Sequence, residues 1–278
     1  MLWALLASFL FALMGLLVKL VAVELHVAEI VFYRSLAGLA VLGSVTWFRG
    51  RAVLPVQGSF SLHLSRGVVG FIAMYLMFYS FAHLPVALAL SLTQSAPLFF
   101  GVFGFVLGAK LSRREAWAIS LGFIGVLVLL NPHLDTGEPL GLAAGLAAGA
   151  LAGVVQHQVR ALTGAGEAED RIVIFFLATS AVCSGLWAAY AGFSELSLKL
   201  LVGVAALGVI ATGAQLALTR AFATGLAGAA SGFGYASLVF ATLFEVVLFS
   251  RYPTLQAGMG IVLIASAATV LALRRERG

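Results

Sequence analysis

Residues 231–245 read SGFGYASLVFATLFE, and residues 246–249 continue the apolar run with VVLF. This stretch contains a single charged side chain, Glu245. A run of about 20 mostly apolar residues is long enough for a helix to cross the hydrocarbon core of a bilayer. A carboxylate within such a run needs a partner or a function, because burying it alone is costly. The stretch therefore predicts a transmembrane helix and marks Glu245 as the first candidate residue.

The composition of the whole chain agrees with a membrane protein. Of its 278 residues, 62% are hydrophobic and 10% are charged, whereas soluble domains have about 45–50% apolar and about 25% charged residues. The single cysteine, Cys183, cannot form an internal disulfide and is read as a small core side chain. No basic segment precedes the apolar residues 2–18, so they are read as a mature transmembrane helix rather than a signal peptide.

Ten segments are long and apolar enough to be membrane spans, and backbone hydrogen bonding in lipid requires them to be α-helices. The predicted spans are 2–22, 28–48, 66–83, 85–108, 115–131, 139–160, 171–191, 198–220, 227–249 and 254–273. Glycine, proline and charged residues punctuate the connections between them.

The distribution of basic residues predicts the orientation. If the N-terminus is cytoplasmic, twelve of the sixteen lysines and arginines fall in cytoplasmic loops and the C-terminal tail, and Arg66 is counted among them. Lys199 and Arg251 alone fall outside, so the positive-inside rule predicts cytoplasmic N- and C-termini in a multi-pass inner (plasma) membrane protein. The same imbalance explains the net charge of +5 without nucleic-acid binding.

Weak internal similarity divides the chain into two halves. Residues 85–131 align without a gap on the C-terminal part, with Leu84 on Leu226. Separately, Lys19 at the end of the first span aligns with Arg160 at the end of the sixth. We expect an all-α membrane protein of ten transmembrane helices in two five-helix repeats, residues 1–131 and 139–273. Because five is odd, the second repeat enters the membrane inverted, as in many transporters.

Several short motifs resemble the drug/metabolite transporter superfamily, of the EamA type. They are FYRSL (32–36), AHLPVA (82–87), SAPLF (95–99), GAKL (108–111) and SRYPT (250–254). The resemblance covers essentially the whole chain and implies ten helices in two repeats. Two features depart from the family: Ala109 and Arg251 stand where an acidic residue is usual, and Leu238-Val239 replaces a frequent Glu-Pro pair.

Helical spacing collects polar and aromatic side chains on single faces of four spans. In the ninth span Ser231, Tyr235, Leu238, Thr242 and Glu245 share one face. The polar and aromatic faces predict a shared cavity between the halves. The candidate substrate-binding residues are Tyr75, Tyr79, Gln94, Gln215 and Tyr235. For the tyrosine and phenylalanine stripe of the third span considered alone, core packing is the favoured interpretation.

Charges within spans give the candidate gating or coupling residues, Arg34 and Glu245. Both lie at a similar predicted depth on the outer side, which permits an ion pair between them. Two interpretations remain open. Arg34 and Glu245 form an ion pair that only orients two helices, or they form a gate in which the Glu245 carboxylate takes up a proton. Lys19 lies near an interface, where its side chain is expected to snorkel toward water.

The resemblance implies a secondary transporter, usually an exporter, for small organic metabolites such as amino acids or drugs. The alternative is a lipid or polyprenyl-lipid flippase of the same fold, and an intramembrane enzyme is the third class. Asp-x-x-Asp, His-Glu-x-x-His, Gly-x-Ser-x-Gly and Walker motifs are all absent from the sequence. We therefore expect no enzyme activity, no ATP engine, no cofactor and no metal. The expected partners are a small-molecule substrate, the lipid bilayer and, on the gating reading, protons.

Overall fold

The computed structural model describes residues 2–50, 58–108, 112–129, 139–223, 236–250 and 252–274. Within these ranges the regular structure is helical, in eleven helices. They are α1 Leu2–Val21, α2 Val27–Phe48, α3 Phe60–His83, α4 Val86–Thr93, α5 Ala96–Val106, α6 Arg113–Leu129, α7 Pro139–Gly164, α8 Glu169–Ala191, α9 Leu198–Ala223, α10 Ala236–Phe249 and α11 Leu255–Arg274.

Helices α4 and α5 are two parts of one pass, so the described helices make ten apolar passes. Five passes have at least 18 residues and an apolar stretch long enough to cross a membrane: α2, α3, α4 with α5, α7 and α8. The apolar parts of the other five, α1, α6, α9, α10 and α11, are shorter. The prediction of an all-α membrane protein with ten passes is confirmed.

The fourth pass breaks at Gln94 and Ser95. Pro97, the second residue of α5, has no backbone N–H to donate to the carbonyl of Thr93, so a continuous helix would leave that acceptor unpaired. The chain instead makes a tight turn, in which the Ser95 N–H donates to the Leu92 carbonyl over 3.2 Å. Ser95 Oγ donates to the same carbonyl.

The perimeter of the helix bundle is strongly apolar. Large side chains such as Trp47, Leu127, Val209 and Val247 are 68–82% exposed. Soluble monomers rarely present such continuous apolar surface, and lipid tails would cover it here. The interior contains Phe78, Phe81 and Leu98, which are fully buried.

Helices from the two predicted halves pack on each other in related pairs. In the predicted halves, α1, α2 and α3 correspond to α7, α8 and α9. The contact of α1 with α9 then corresponds to the contact of α7 with α3, and that of α2 with α9 corresponds to that of α8 with α3. Three further pairs, α2 with α8, α4 with α10 and α6 with α11, join corresponding helices. This is the pairing that a two-fold relation between residues 1–131 and 139–273 would produce. The division into those two inverted repeats stays a prediction.

Helix α7 carries a glycine at every fourth position, which places the glycines on one face. These glycines are Gly141, Gly145, Gly149 and Gly153. A Cβ added at Gly149 would lie 2.7 Å from the Leu92 carbonyl oxygen, and one at Gly153 would lie 2.9 Å from the Phe100 backbone nitrogen. The stripe therefore lets α7 approach the backbone of α4 and α5, the close packing that stabilises helices in lipid.

Gly149→Ala should lower stability by about 1–3 kcal/mol, because the new methyl group meets backbone that cannot rotate away. The measurement is thermal unfolding of the purified protein in detergent. Gly43→Ala in α2 is the control, since nothing lies within 4 Å of the added Cβ. Equal stability of the two variants would contradict close packing along α7.

Candidate functional site

Glu245 lies on the face of α10 that packs into the protein. It is only 3% exposed, and Leu238 and Ala241, seven and four residues before it, are also buried. This face meets α1 and α4. The expectation that Glu245 faces the interior is confirmed.

One oxygen of the Glu245 carboxylate receives two donors. Oε1 accepts the backbone N–H of Val86 over 2.7 Å and the Lys19 ammonium over 3.3 Å. Val86 is the first residue of α4, so its N–H belongs to a helix N-terminus, which favours an anion. Lys19 Nζ also donates to the Leu84 carbonyl over 2.7 Å. We call these four residues the Lys19–Glu245 network.

The network joins three parts of the chain: the end of α1, the turn between α3 and α4, and the end of α10. Lys19 is 14% exposed at its side chain and Glu245 4%, so both charges are largely withdrawn from the surface. Nζ of Lys19 also lies 5.5 Å from the centre of the Phe249 ring. The second carboxylate oxygen, Oε2, is buried and accepts no hydrogen bond.

Two expectations about these charges are wrong. Lys19 does not snorkel toward water, because the Leu84 carbonyl and the Glu245 carboxylate offer it partners inside the protein. Arg34 does not contact Glu245, because α2 packs on α3, α8 and α9 and directs this side chain toward Met74. Arg34 Nη1 lies 3.0 Å from the Met74 sulfur. The roles of Arg34 and Glu245 in gating or coupling stay a hypothesis.

Arg34 instead lines a cavity of about 80 Å³ between α2, α3, α8 and α9. We call it the arginine cavity. Its other lining residues are Gly38, Leu42, Arg66, Val173, Phe176, Leu177, Ala211 and Thr212. The cavity extends from the middle of α2 and α9 toward the face where α2 ends and α3 and α8 begin. The Lys19–Glu245 network lies at the opposite face.

Arg66 was missed as a site residue, because the predicted third span began at this position and the arginine was counted in a cytoplasmic loop. Helix α3 begins six residues earlier, at Phe60, so Arg66 lies within the pass. Its guanidinium stacks over the Phe176 ring at 4.2 Å. The sequence feature that could have indicated this position is the four-residue spacing of Arg66 and Gly70, which places both residues on one face of α3.

A second buried polar cluster lies beside this cavity, where α3 and α8 begin. Glu167 is 4% exposed and accepts a hydrogen bond from Arg171 Nη1 over 2.6 Å. Ser59 Oγ donates to the other Glu167 oxygen, and His63 Nε2 lies 3.1 Å from that oxygen. Glu167 is therefore hydrogen-bonded to Ser59 and Arg171.

Glu29, near the start of α2, is fully buried and satisfied by hydrogen bonds. It accepts the backbone N–H and the hydroxyl of Ser194, each over 2.8 Å, and the His26 N–H over 3.0 Å. This carboxylate ties α2 to the connection between α8 and α9. No group of three metal-binding side chains occurs within the described ranges.

The structure does not bring the five predicted substrate-binding residues into one described space. Tyr75 packs 5.7 Å from Trp187 on α8, and Tyr79 stacks 4.0 Å from His83 on its own helix. Gln94 Nε2 donates to Ser237 Oγ across α4 and α10 over 3.4 Å. The Gln215 side chain and Tyr235 lie outside the described part of the chain. A cavity shared by all five stays a prediction.

Comparison with known proteins identifies the family. The EamA-like transporter family matches residues 1–131. The pseudopaline exporter CntI of Pseudomonas aeruginosa is 31% identical over 281 residues, covering 99% of this chain and 96% of the exporter. The chain belongs to the EamA-like transporter family.

Other relatives of this EamA-like chain point the same way. The S-adenosylmethionine uptake transporter of Rickettsia felis is 25% identical, covering 90% of this chain and 84% of that protein. A solved crystal structure with 22% identity has the same fold, with a TM-score of 0.64 over 99% of this chain and 97% of the other. The EamA-like protein is therefore a multi-pass membrane transporter with a small-molecule substrate.

Lys19→Met should destabilise this EamA-like transporter by about 3–5 kcal/mol, because it leaves the Glu245 carboxylate buried without its counter-charge. The measurement is unfolding of the purified protein in detergent. Lys199→Met is the matched control, since Lys199 is 87% exposed at its side chain in its 3.8 Å pair with Glu24 and surface pairs contribute little. If the two variants lose the same stability, the Lys19–Glu245 network does not hold the helices together.

Proposed function

We propose that this transporter is a secondary exporter of small organic metabolites, such as amino acids or drugs, that works by alternating access. In this proposal the repeats 1–131 and 139–273 move relative to each other in the inner membrane, with both termini in the cytoplasm. The related pairs of packed helices support a division into two halves of similar structure. The identity to the pseudopaline exporter over nearly the whole chain supports export rather than uptake.

The observation that carries the mechanism is the Lys19–Glu245 network. Lys19, Leu84 and Val86 belong to the first predicted repeat, and Glu245 belongs to the second. An ion pair between the repeats closes the face of the protein on which it lies. The positive-inside rule assigns that face to the outside. Opening this face requires Glu245 and Lys19 to separate.

Protonation of Glu245 would favour the separation. A neutral carboxyl group attracts the Lys19 ammonium less strongly, so the closed arrangement loses the attraction between the two charges. Helices α1 and α4 pack on α10, and Lys19 is the single ionisable side chain in the two. Oε2, which is buried without a partner, is the oxygen available to a proton. We therefore propose that inward proton movement through Glu245 drives export.

A flux experiment tests the role of Glu245. Glu245→Gln keeps a carbonyl oxygen for the Val86 N–H but removes the charge and the titration. We expect Glu245→Gln to fold. Its export flux in the presence of a pH gradient should fall at least ten-fold and should no longer depend on the gradient. Wild type and the variant are reconstituted in liposomes and challenged with a panel of amino acids and other metabolites, with and without the gradient.

Glu195→Gln is the control, since this carboxylate lies in the connection between α8 and α9 and outside the network. It should transport as wild type does. Normal, gradient-dependent flux in Glu245→Gln would contradict the coupling role. Equal loss of stability in Glu245→Gln and Lys19→Met, with normal flux per folded molecule, would make the pair structural.

A further inference from the structure

The arginine cavity holds two positive charges and no negative one. Arg34 and Arg66 line it together, and neither is within ion-pair distance of a carboxylate in the described residues. Nε of Arg34 and both Nε and Nη1 of Arg66 are buried and have no hydrogen-bond partner. Guanidinium groups offer five N–H donors in a fixed planar arrangement, and at least three are unused here.

This arrangement differs from every other buried charge described above. Glu245 is paired with Lys19, Glu29 accepts three donors, and Glu167 is bound by Ser59 and Arg171. A charge inside a membrane helix is costly to insert and usually faces a partner or a cavity. Two like charges that share a cavity also repel each other. An anion from outside the chain would relieve both costs.

The described carboxylates near the start of α8 do not fill this role. Glu167 lies six residues before Val173 of the cavity wall, and its oxygens accept hydrogen bonds from Arg171 and Ser59. Asp170 Oδ1 accepts the backbone N–H of Arg171. Arg66 does not compete for Glu167, since its guanidinium turns to the Phe176 ring. Within the described residues, Arg171 thus has a counter-charge, and Arg34 and Arg66 do not.

The size and walls of the cavity indicate the kind of anion. One water needs about 10–15 Å³, so a cavity of about 80 Å³ accepts a group of several atoms but not a large metabolite. The remaining walls are mostly apolar, from Gly38, Leu42 and Leu177. Two guanidinium groups with apolar surroundings fit a planar carboxylate attached to a short carbon chain.

We propose that Arg34 and Arg66 bind the carboxylate of the transported solute, so that the substrates are carboxylate-bearing metabolites. The inference rests on the proposed function and narrows its substrate class. It assigns Arg66, together with Arg34, to substrate recognition. Because the cavity extends from the middle of the bundle toward the face opposite the Lys19–Glu245 network, the solute is bound in the half of the protein that an exporter loads.

The test is equilibrium binding, which does not depend on transport. The unfolding temperature of the purified protein in neutral detergent is measured during titration with succinate and, separately, with succinamide. The diamide has a similar size but no charge. We expect succinate alone to raise the unfolding temperature. Arg34→Gln and Arg66→Gln should each weaken its apparent affinity at least ten-fold.

Two further variants separate binding from folding. Arg34→Lys keeps the charge but loses the planar pair of donors, so it should fold and bind succinate with intermediate affinity. Arg49→Gln removes an exposed arginine from the end of the same helix, and it should bind as wild type does. The same binding by wild type and Arg34→Gln would overturn the proposal, as would equal stabilisation by succinamide.

Two additions distinguish other sources of the anion. If inorganic phosphate stabilises the protein at concentrations where succinate does not, the cavity binds phosphate and the carboxylate class is wrong. If phosphatidylglycerol abolishes the effect of succinate, the site belongs to a lipid headgroup. If succinate does not bind but a solute of the panel is still transported in liposomes, the carboxylate inference is wrong. The proposed exporter function is then unaffected.

Discussion

A charged side chain inside hydrocarbon must find a partner or face a cavity, because its insertion costs about 2.5–3.5 kcal/mol. That constraint accounts for the polar architecture of this transporter. Glu245 and Lys19 satisfy each other across two helices, and the backbone around Val86 completes the arrangement. Arg34 and Arg66 have no such partner within the described residues and line a cavity. On the proposed mechanism, the Lys19–Glu245 contact closes one face of the protein and the arginine cavity receives the solute.

Helix α3 connects the two regions. Its first turns carry Arg66, and the turn that follows its last residue supplies the Leu84 carbonyl to Lys19. The glycine stripe of α7 fits closely against α3 and the broken fourth pass, with Gly145 against Ser80 and Leu92. A rigid-body movement of α3 at one membrane face would therefore displace the turn at Leu84 on the other. This coupling gives a physical route by which solute binding at the arginine cavity would affect the Lys19–Glu245 network.

Hydropathy was sufficient to predict the ten passes, because lipid forces each pass to be an apolar helix. Periodicity also placed Glu245 on the inward face of α10. The partner of Glu245 could not be predicted, because the choice between snorkelling and pairing for Lys19 depends on a turn 65 residues further along the chain. The first turns of α3 were missed since Ser61, His63 and Ser65 make them polar. Pro97 explains the break in the fourth pass, since proline cannot donate the backbone hydrogen bond of a continuous helix.

On the proposed mechanism, separation of Lys19 and Glu245 opens the face on which they lie. Electron paramagnetic resonance can test this separation by measuring the distance between spin labels at Val23→Cys and Tyr252→Cys, in a Cys183→Ser background. Both positions are exposed, at 81% and 78%, and they follow α1 and α10. We expect one short distance population at neutral pH and a second, longer population in Glu245→Gln or at acidic pH. A single unchanged distance population under all these conditions would contradict it.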